Sequence, residues 1–166
     1  KRTIKTGEIG FSRAMEAAGL RLGALSSRPE FAARIAGEDD DFLFETLRYA
    51  AYMDADLARE RERLLVERGR TGWRAATLDH IGRTIARRGF NFAFVRAADR
   101  FFGTLSLKKH REPFFRDVRR AYLGAASAGL VAPPDEPVYA EIRALSGPLP
   151  DAAPEPAPAA APGGPG

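Results

Sequence analysis

Four groups of side chains in this 166-residue chain have types and spacings that can do chemistry. The first is Glu8, held between Gly7 and Ile9-Gly10 where an apolar segment begins. At a helix N-terminus, free amides and the positive end of the dipole favour a carboxylate, by about 0.3–1 kcal/mol. With glycines that let a ligand come close, the same carboxylate can act as a general base or orient a hydroxyl. The second group is the run Glu38-Asp39-Asp40-Asp41. Clustered carboxylates can hold a divalent metal through oxygen ligands, but they also suit the first turn of a helix, and an EF-hand's glycine and distal glutamate are absent. The third is "LKKHRE" (107–112), the one cluster of lysines, with phenylalanines at 101, 102, 114 and 115. Basic residues among rings can grip a nucleic-acid strand, or they can form a solvated connector beside buried rings. The fourth is Trp73 with Tyr49, Tyr52, Tyr122 and Tyr139, rings able to stack on a sugar or to pack in a core with a polar tip outward.

Other chemistries are excluded or disfavoured. There is no cysteine, which removes disulfides, thiolate catalysis and cysteine-based zinc sites. His80 and His110 stand thirty positions apart, which disfavours a multi-histidine metal site, and no residue is assigned as a metal ligand. No phosphate loop, dinucleotide fingerprint or nucleophile elbow is present. No apolar run approaches the roughly 18 residues of a membrane span, and Lys1-Arg2 lead into polar residues rather than a signal peptide. The expected location is cytoplasmic, with peripheral membrane contact left open. Because the first residue is Lys1 rather than methionine, the chain is expected to be the back part of a longer protein. The net charge is +4 and the pI near 9.8. Arginine dominates, with only four lysines among 26 basic residues. In "ARERERLLVERGR" (58–70) the arginines alternate with acids, the pattern of a solvated helix face rather than a phosphate-binding stripe.

The elements that must position these groups are mainly helical. The spacing predicts a helix over 8–18 closed by Gly19, then a short strand over "LRLGAL" (20–25). "SRPE" (27–30) is a capping box that opens a short helix through Ile35, closed by Gly37. The stripe Phe42, Leu43, Leu47, Ala50, Met53, Leu57 predicts one long helix from about Asp41 to Arg68. A helix over 73–88 follows, with Leu78, Ile81 and Ile85 inward. Aromatics at 90, 92 and 94 have strand spacing, or belong to a loop anchored by its rings. Residues 96–102 are expected to be helical, Pro113 to open a helix to about Ala128, and Val138, Tyr139, Ile142 and Leu145 to lie on a last one. The fold expected is an irregular helical domain over residues 1–146 with one or two short strands. A disordered Pro/Ala/Gly tail is expected over 147–166.

"EIGFSRAMEAAGLRLGAL" (8–25) resembles a segment of bacterial glycosyltransferase-like proteins of surface-polysaccharide synthesis, the rhamnan synthesis protein F type. That family reads Glu-Ile/Val-Gly-Leu-Ser, a helix, then "AGY" and a short strand. Glu8, Ile9, Gly10, Ser12, Ala18 and Gly19 match; Phe11 stands for the leucine and Leu20 for the aromatic. "RRGFNFAFVR" (87–96) is similar to a second family stretch, with Asn91 in place of a proline. The resemblance implies the C-terminal part of such a protein, with the nucleotide-sugar donor bound upstream of Lys1. Glu8 would then be a base at the edge of the acceptor cleft, with Ser12 and Trp73 as substrate contacts and a glycan acceptor as partner.

Two other readings stand beside this one. In the first, the chain is a non-enzymatic helical module that binds a partner protein through 90–102 and the long helix 41–68. In the second it binds nucleic acid through Lys108, Lys109 and Arg111.

Overall fold

A computed structural model describes residues 8–19, 26–103 and 106–147, with the side chains of 8–12 outside that description. Among the described residues the chain is mainly helical and has no strand. The helices are α1 (Glu8–Ala17), α2 (Arg28–Ala36), α3 (Asp40–Arg48), α4 (Ala55–Val66) and α5 (Trp73–Arg87), followed by α6 (Phe90–Ala93), α7 (Val95–Phe102), α8 (Pro113–Ser127) and α9 (Glu136–Ser146). The strand expected at 20–25 and most of the tail expected from 147 lie outside the described residues.

Local signals start these helices as their chemistry requires. The Ser27 hydroxyl accepts from the Glu30 backbone N–H at 3.3 Å, and Pro29 sits in the first turn of α2. The Glu30 carboxylate reaches forward to Arg34 at 2.7 Å. Asp39 caps α3 by accepting from the Phe42 N–H at 2.7 Å. Gly72, at φ +82°, makes the left-handed turn that admits α5, a conformation costly for any residue with a Cβ.

Two of the expected elements take another form. The long helix over 41–68 is two helices, α3 and α4, broken across residues 49–54. The Ala51 N–H donates to the Ala93 carbonyl at 3.0 Å, so the chain exchanges a helical bond for a tertiary one. The break also leaves Asp54 at the head of a new helix, 3.6 Å from Arg87. The rings at 90, 92 and 94 form the turn α6 and its exit rather than a strand. Their two-residue spacing also satisfies a helix, because positions four apart share a face. Phe90 and Phe94 both stack on Phe31, at 4.7 and 6.1 Å between centroids. Phe92 turns the other way and meets Phe115 edge-on at 5.8 Å.

The core has two parts. The larger gathers Phe31, Leu43, Leu47, Leu64, Trp73, Ile81, Phe94 and Phe101 from α2 to α7. The smaller gathers Val118, Tyr122, Leu123 and Ile142 from α8 and α9. α7 joins them, with Val95 in the smaller part and Ala97 and Ala98 in the larger.

Short helices leave many terminal carbonyls without partners, and arginines from elsewhere take them. Arg74 donates to the Ala36 carbonyl at the end of α2 and to the Glu38 carbonyl just past it, at 2.8 and 2.7 Å. Arg34 donates to the Phe101 carbonyl at the end of α7, and Arg61 to that of Arg48 at the end of α3. Arg119 and Arg120 take the Leu145 and Ser146 carbonyls at the end of α9, at 2.7 and 3.1 Å. The expectation of solvated arginines holds for Arg63, half-exposed and paired with Glu60 and Glu67. Within the same 58–70 stretch Arg61 is the less exposed one, donating to the Arg48 carbonyl; the other clamping arginines lie outside it.

Two predictions concern packing. Phe31→Ala is expected to lower unfolding free energy by about 3–5 kcal/mol in urea titrations, since three rings lose their common neighbour. Gly82 and Gly124 both lie inside helices, but a Cβ at Gly82 meets nothing, whereas one at Gly124 falls 2.9 Å from the Tyr49 ring. Gly82→Ala is expected to raise the thermal midpoint, by roughly 0.5–1 kcal/mol of stability, and Gly124→Ala to lower it.

Candidate functional site

The buried stripe of α5 runs Trp73, Thr77, His80, Ile81, Thr84, Ile85, a helical spacing that carries one imidazole into the interior. His80 is fully buried. Its Nδ1 lies 3.1 Å from Glu60 Oε2 on α4, and its Nε2 lies 2.9 Å from the Tyr52 hydroxyl in the α3–α4 break. Arg83, one turn further along α5, sets its Nη2 between both Glu60 oxygens at 2.7 and 2.8 Å and its Nε on Asp79 at 2.9 Å. The break in the expected long helix is what delivers Tyr52 to this chain of groups.

The protonation pattern follows from these partners. Bonding to Arg83 is the main cause that holds the Glu60 carboxyl down at about 2, so it is ionised and can only accept. His80 therefore donates from Nδ1, and its Nε2 accepts from the Tyr52 O–H. Burial pushes the His80 imidazole below its ordinary value and the Tyr52 phenol well above its own. Carboxylate, imidazole and hydroxyl stand in the order of a nucleophilic relay, yet the proton is held on Tyr52. None of the three lines the cavity between α8 and α9 or the one at the head of α3. This chain of groups is a polar pin that ties α4, α5 and the α3–α4 break together.

The residues singled out from the sequence are dispersed. Glu8 is the first residue of α1 and Ser12 lies in its second turn, with both side chains outside the described residues. Trp73, expected against a sugar, is only 4 % exposed and donates its indole N–H to the Leu64 carbonyl at 2.7 Å. Its ring is committed to the core. The acidic run opens α3: Asp39 caps the helix, Asp40 pairs with Arg74 at 2.7 Å and Asp41 pairs with Arg68. Glu38, Asp39 and Asp41 also border a cavity of about 440 Å³ whose other side is Arg96 and Arg100. Arg96 lies over the Phe42 ring there at 4.4 Å. Among the described residues no three His, Asp or Glu side chains gather as a metal site.

In the basic connector, the Lys108 ammonium sits over the Phe92 and Phe115 rings at 5.1 and 5.4 Å, and Lys109 pairs with Glu141 at 2.6 Å. No described helix is long and apolar enough to cross a membrane. Sequence reasoning missed His80 and Arg119. The signal was available, since each stands inside an apolar stripe, next to Ile81 and Val118.

The pin predicts a pH profile. A depressed His80 pKa means that the unfolded chain binds a proton first, so stability should fall as pH drops below about 6.5. Glu60 adds a second loss between about 4.5 and about 2 as its own carboxylate is protonated. In His80→Gln the first decline is expected to vanish from urea midpoints measured across pH 7.5 to 5, while the second stays. His80→Phe is expected to cost about 1–3 kcal/mol for each polar partner left unpaired. A first decline of unchanged size in His80→Gln would contradict the assignment.

No protein-family model, curated protein or solved structure compared with this chain matches it.

Proposed function

We propose that this chain is a helical part of a cytoplasmic glycosyltransferase-like protein of cell-surface polysaccharide synthesis, lying on the acceptor side of its cleft. The observation that supports the reading is Glu8 as the opening residue of α1, within a stretch that resembles a segment of that family at Glu8, Ile9, Gly10, Ser12, Ala18 and Gly19. The helix N-terminus favours the ionised carboxylate, the form that a base needs. In this reading Glu8 takes the proton of an acceptor hydroxyl as that oxygen attacks the donor sugar, and the nucleotide leaves. Ser12, one turn on, contacts the acceptor. The nucleotide-sugar donor is held outside this sequence.

One finding weighs against a rival reading. A partner-binding surface on 90–102 would need its rings outside, but Phe90, Phe94 and Phe101 are buried. On the 107–112 connector Lys109 pairs with Glu141 and Lys108 lies over two rings, while Lys108, Lys109 and Arg111 all stay exposed, so the salt dependence of binding is what separates the nucleic-acid reading.

In the full-length protein that carries this sequence, Glu8→Gln is expected to cut glycosyl transfer by about 10²–10⁴-fold, the usual worth of a general base. The thermal midpoint should move little, because a first-turn charge contributes only about 0.3–1 kcal/mol. Transfer at the parental rate would remove Glu8 from the chemistry. Retention on immobilised nucleic acid that falls steeply with added salt would favour the binding reading instead.

A further inference from the structure

The segment between α3 and α4 is stitched to both cores. Ala50 and Tyr52 pack in the larger one, whereas Tyr49 and Ala51 pack in the smaller. The Tyr49 ring lies so close to α8 that a Cβ on Gly124 would fall 2.9 Å from it. The Ala51 N–H donates to the Ala93 carbonyl at 3.0 Å, and the Tyr52 hydroxyl meets His80 Nε2 at 2.9 Å. Met53, the next residue, is half-exposed, so this stretch borders solvent.

His80 holds the two ends of its pin through different bonds, and one proton acts on them oppositely. In the neutral imidazole, Nδ1–H donates to Glu60 and Nε2 accepts from Tyr52. An imidazolium donates from both nitrogens. The Glu60 bond then becomes charge-assisted and strengthens. The Tyr52 O–H loses its acceptor, and among the described residues it has no second one. A buried donor left unpaired is costly, and turning toward water relieves that cost.

The charged groups around the pair are Glu60, Arg61 and Glu62 on α4 and Asp79 and Arg83 on α5. Toward a charged His80, Glu60 and Asp79 are attractive and Arg83 is repulsive. Burial is the largest penalty on that charge, and admitting water reduces it.

We propose that residues 49–54 form an acid-released latch between the two cores, in which a proton on His80 keeps the bond to Glu60 and breaks the bond to Tyr52. Water then reaches the imidazole, Ala51 parts from Ala93, and Tyr49 loosens against α8. α4 and α5 stay folded and joined through Glu60. The device is local. This inference stands independently of the role of Glu8.

The test follows amide hydrogen exchange of the full chain by NMR from about pH 7.5 to about 4.5, with each rate corrected for the intrinsic rate at that pH. The His80 ring signals are recorded in parallel. Protection of the Ala51 amide should fall as His80 takes up its proton, by up to about tenfold per pH unit below about 6.5. The Ile81 amide, in the middle of α5, should keep its protection. His80→Gln has no proton to gain in this range and should hold Ala51 protection level throughout. Tyr52→Phe lacks the hydroxyl and should leave Ala51 weakly protected even at the upper end. Loss of protection at Ala51 and Ile81 together would mean global unfolding and overturn the latch. Constant protection at Ala51 while His80 titrates would overturn it too, as would a His80 ring that stays neutral throughout.

Discussion

The last carbonyls of a short helix have no partners within it, and this fold is held by arginines that reach across to take them. Four of the described helices, α2, α3, α7 and α9, have such a clamp at or just past their C-terminal end, donated by another segment. A guanidinium suits the task because its planar fork can serve two or three carbonyls at once, whereas an ammonium is a compact point donor. That property gives a physical reason why arginine so outnumbers lysine here. Arg74 closes α2 while holding Asp40 at the head of α3, so one side chain fixes the end of one helix and the start of the next. Arg119 does the same for α9 and the connector, at the cost of a buried charge.

The clamps explain how a chain of brief helices acquires two cores that abut. Phe31 gathers three rings on one side, while Tyr122 and Val118 organise the other. α7 is shared between them. The Glu60–His80–Tyr52 pin matches its polar groups in the interior, whereas the Thr46 and Thr77 hydroxyls are buried without a hydrogen-bond partner. Arg119 is the instructive departure, since its hydrogen bonds are mostly met but its charge is not.

Much of the helical order was legible, because caps and stops are local. Ser27 as the cap of α2, Gly37 and Pro113 acted where their chemistry places them, although the Glu30 carboxylate turned forward to Arg34 instead of closing a capping box. The errors came from tertiary bonds that a periodic pattern does not contain. The stripe from Phe42 to Leu57 continues through the break, but the Ala51 N–H finds Ala93 and the Tyr52 hydroxyl finds His80. The alternation at 90–94 serves two faces of a helical turn as well as it would serve a strand. Trp73 shows the same limit at the level of a site, since an indole can meet a sugar or a core and only the neighbouring Leu64 carbonyl decides. His80 and Arg119 were legible in principle as polar residues inside apolar stripes. Glu60, twenty positions from His80, was not.

The central claim is that arginine forks, not generic positive charge, hold the helix ends. Urea unfolding of Arg119→Lys, with exposed Arg59→Lys as its control, tests this most directly. The clamp predicts a loss of roughly 2–4 kcal/mol for Arg119→Lys, because carbonyls at Lys108, His110 and Leu145 lose a shared donor, and almost none for the control. Unfolding midpoints that coincide for Arg119→Lys and the parent would contradict it.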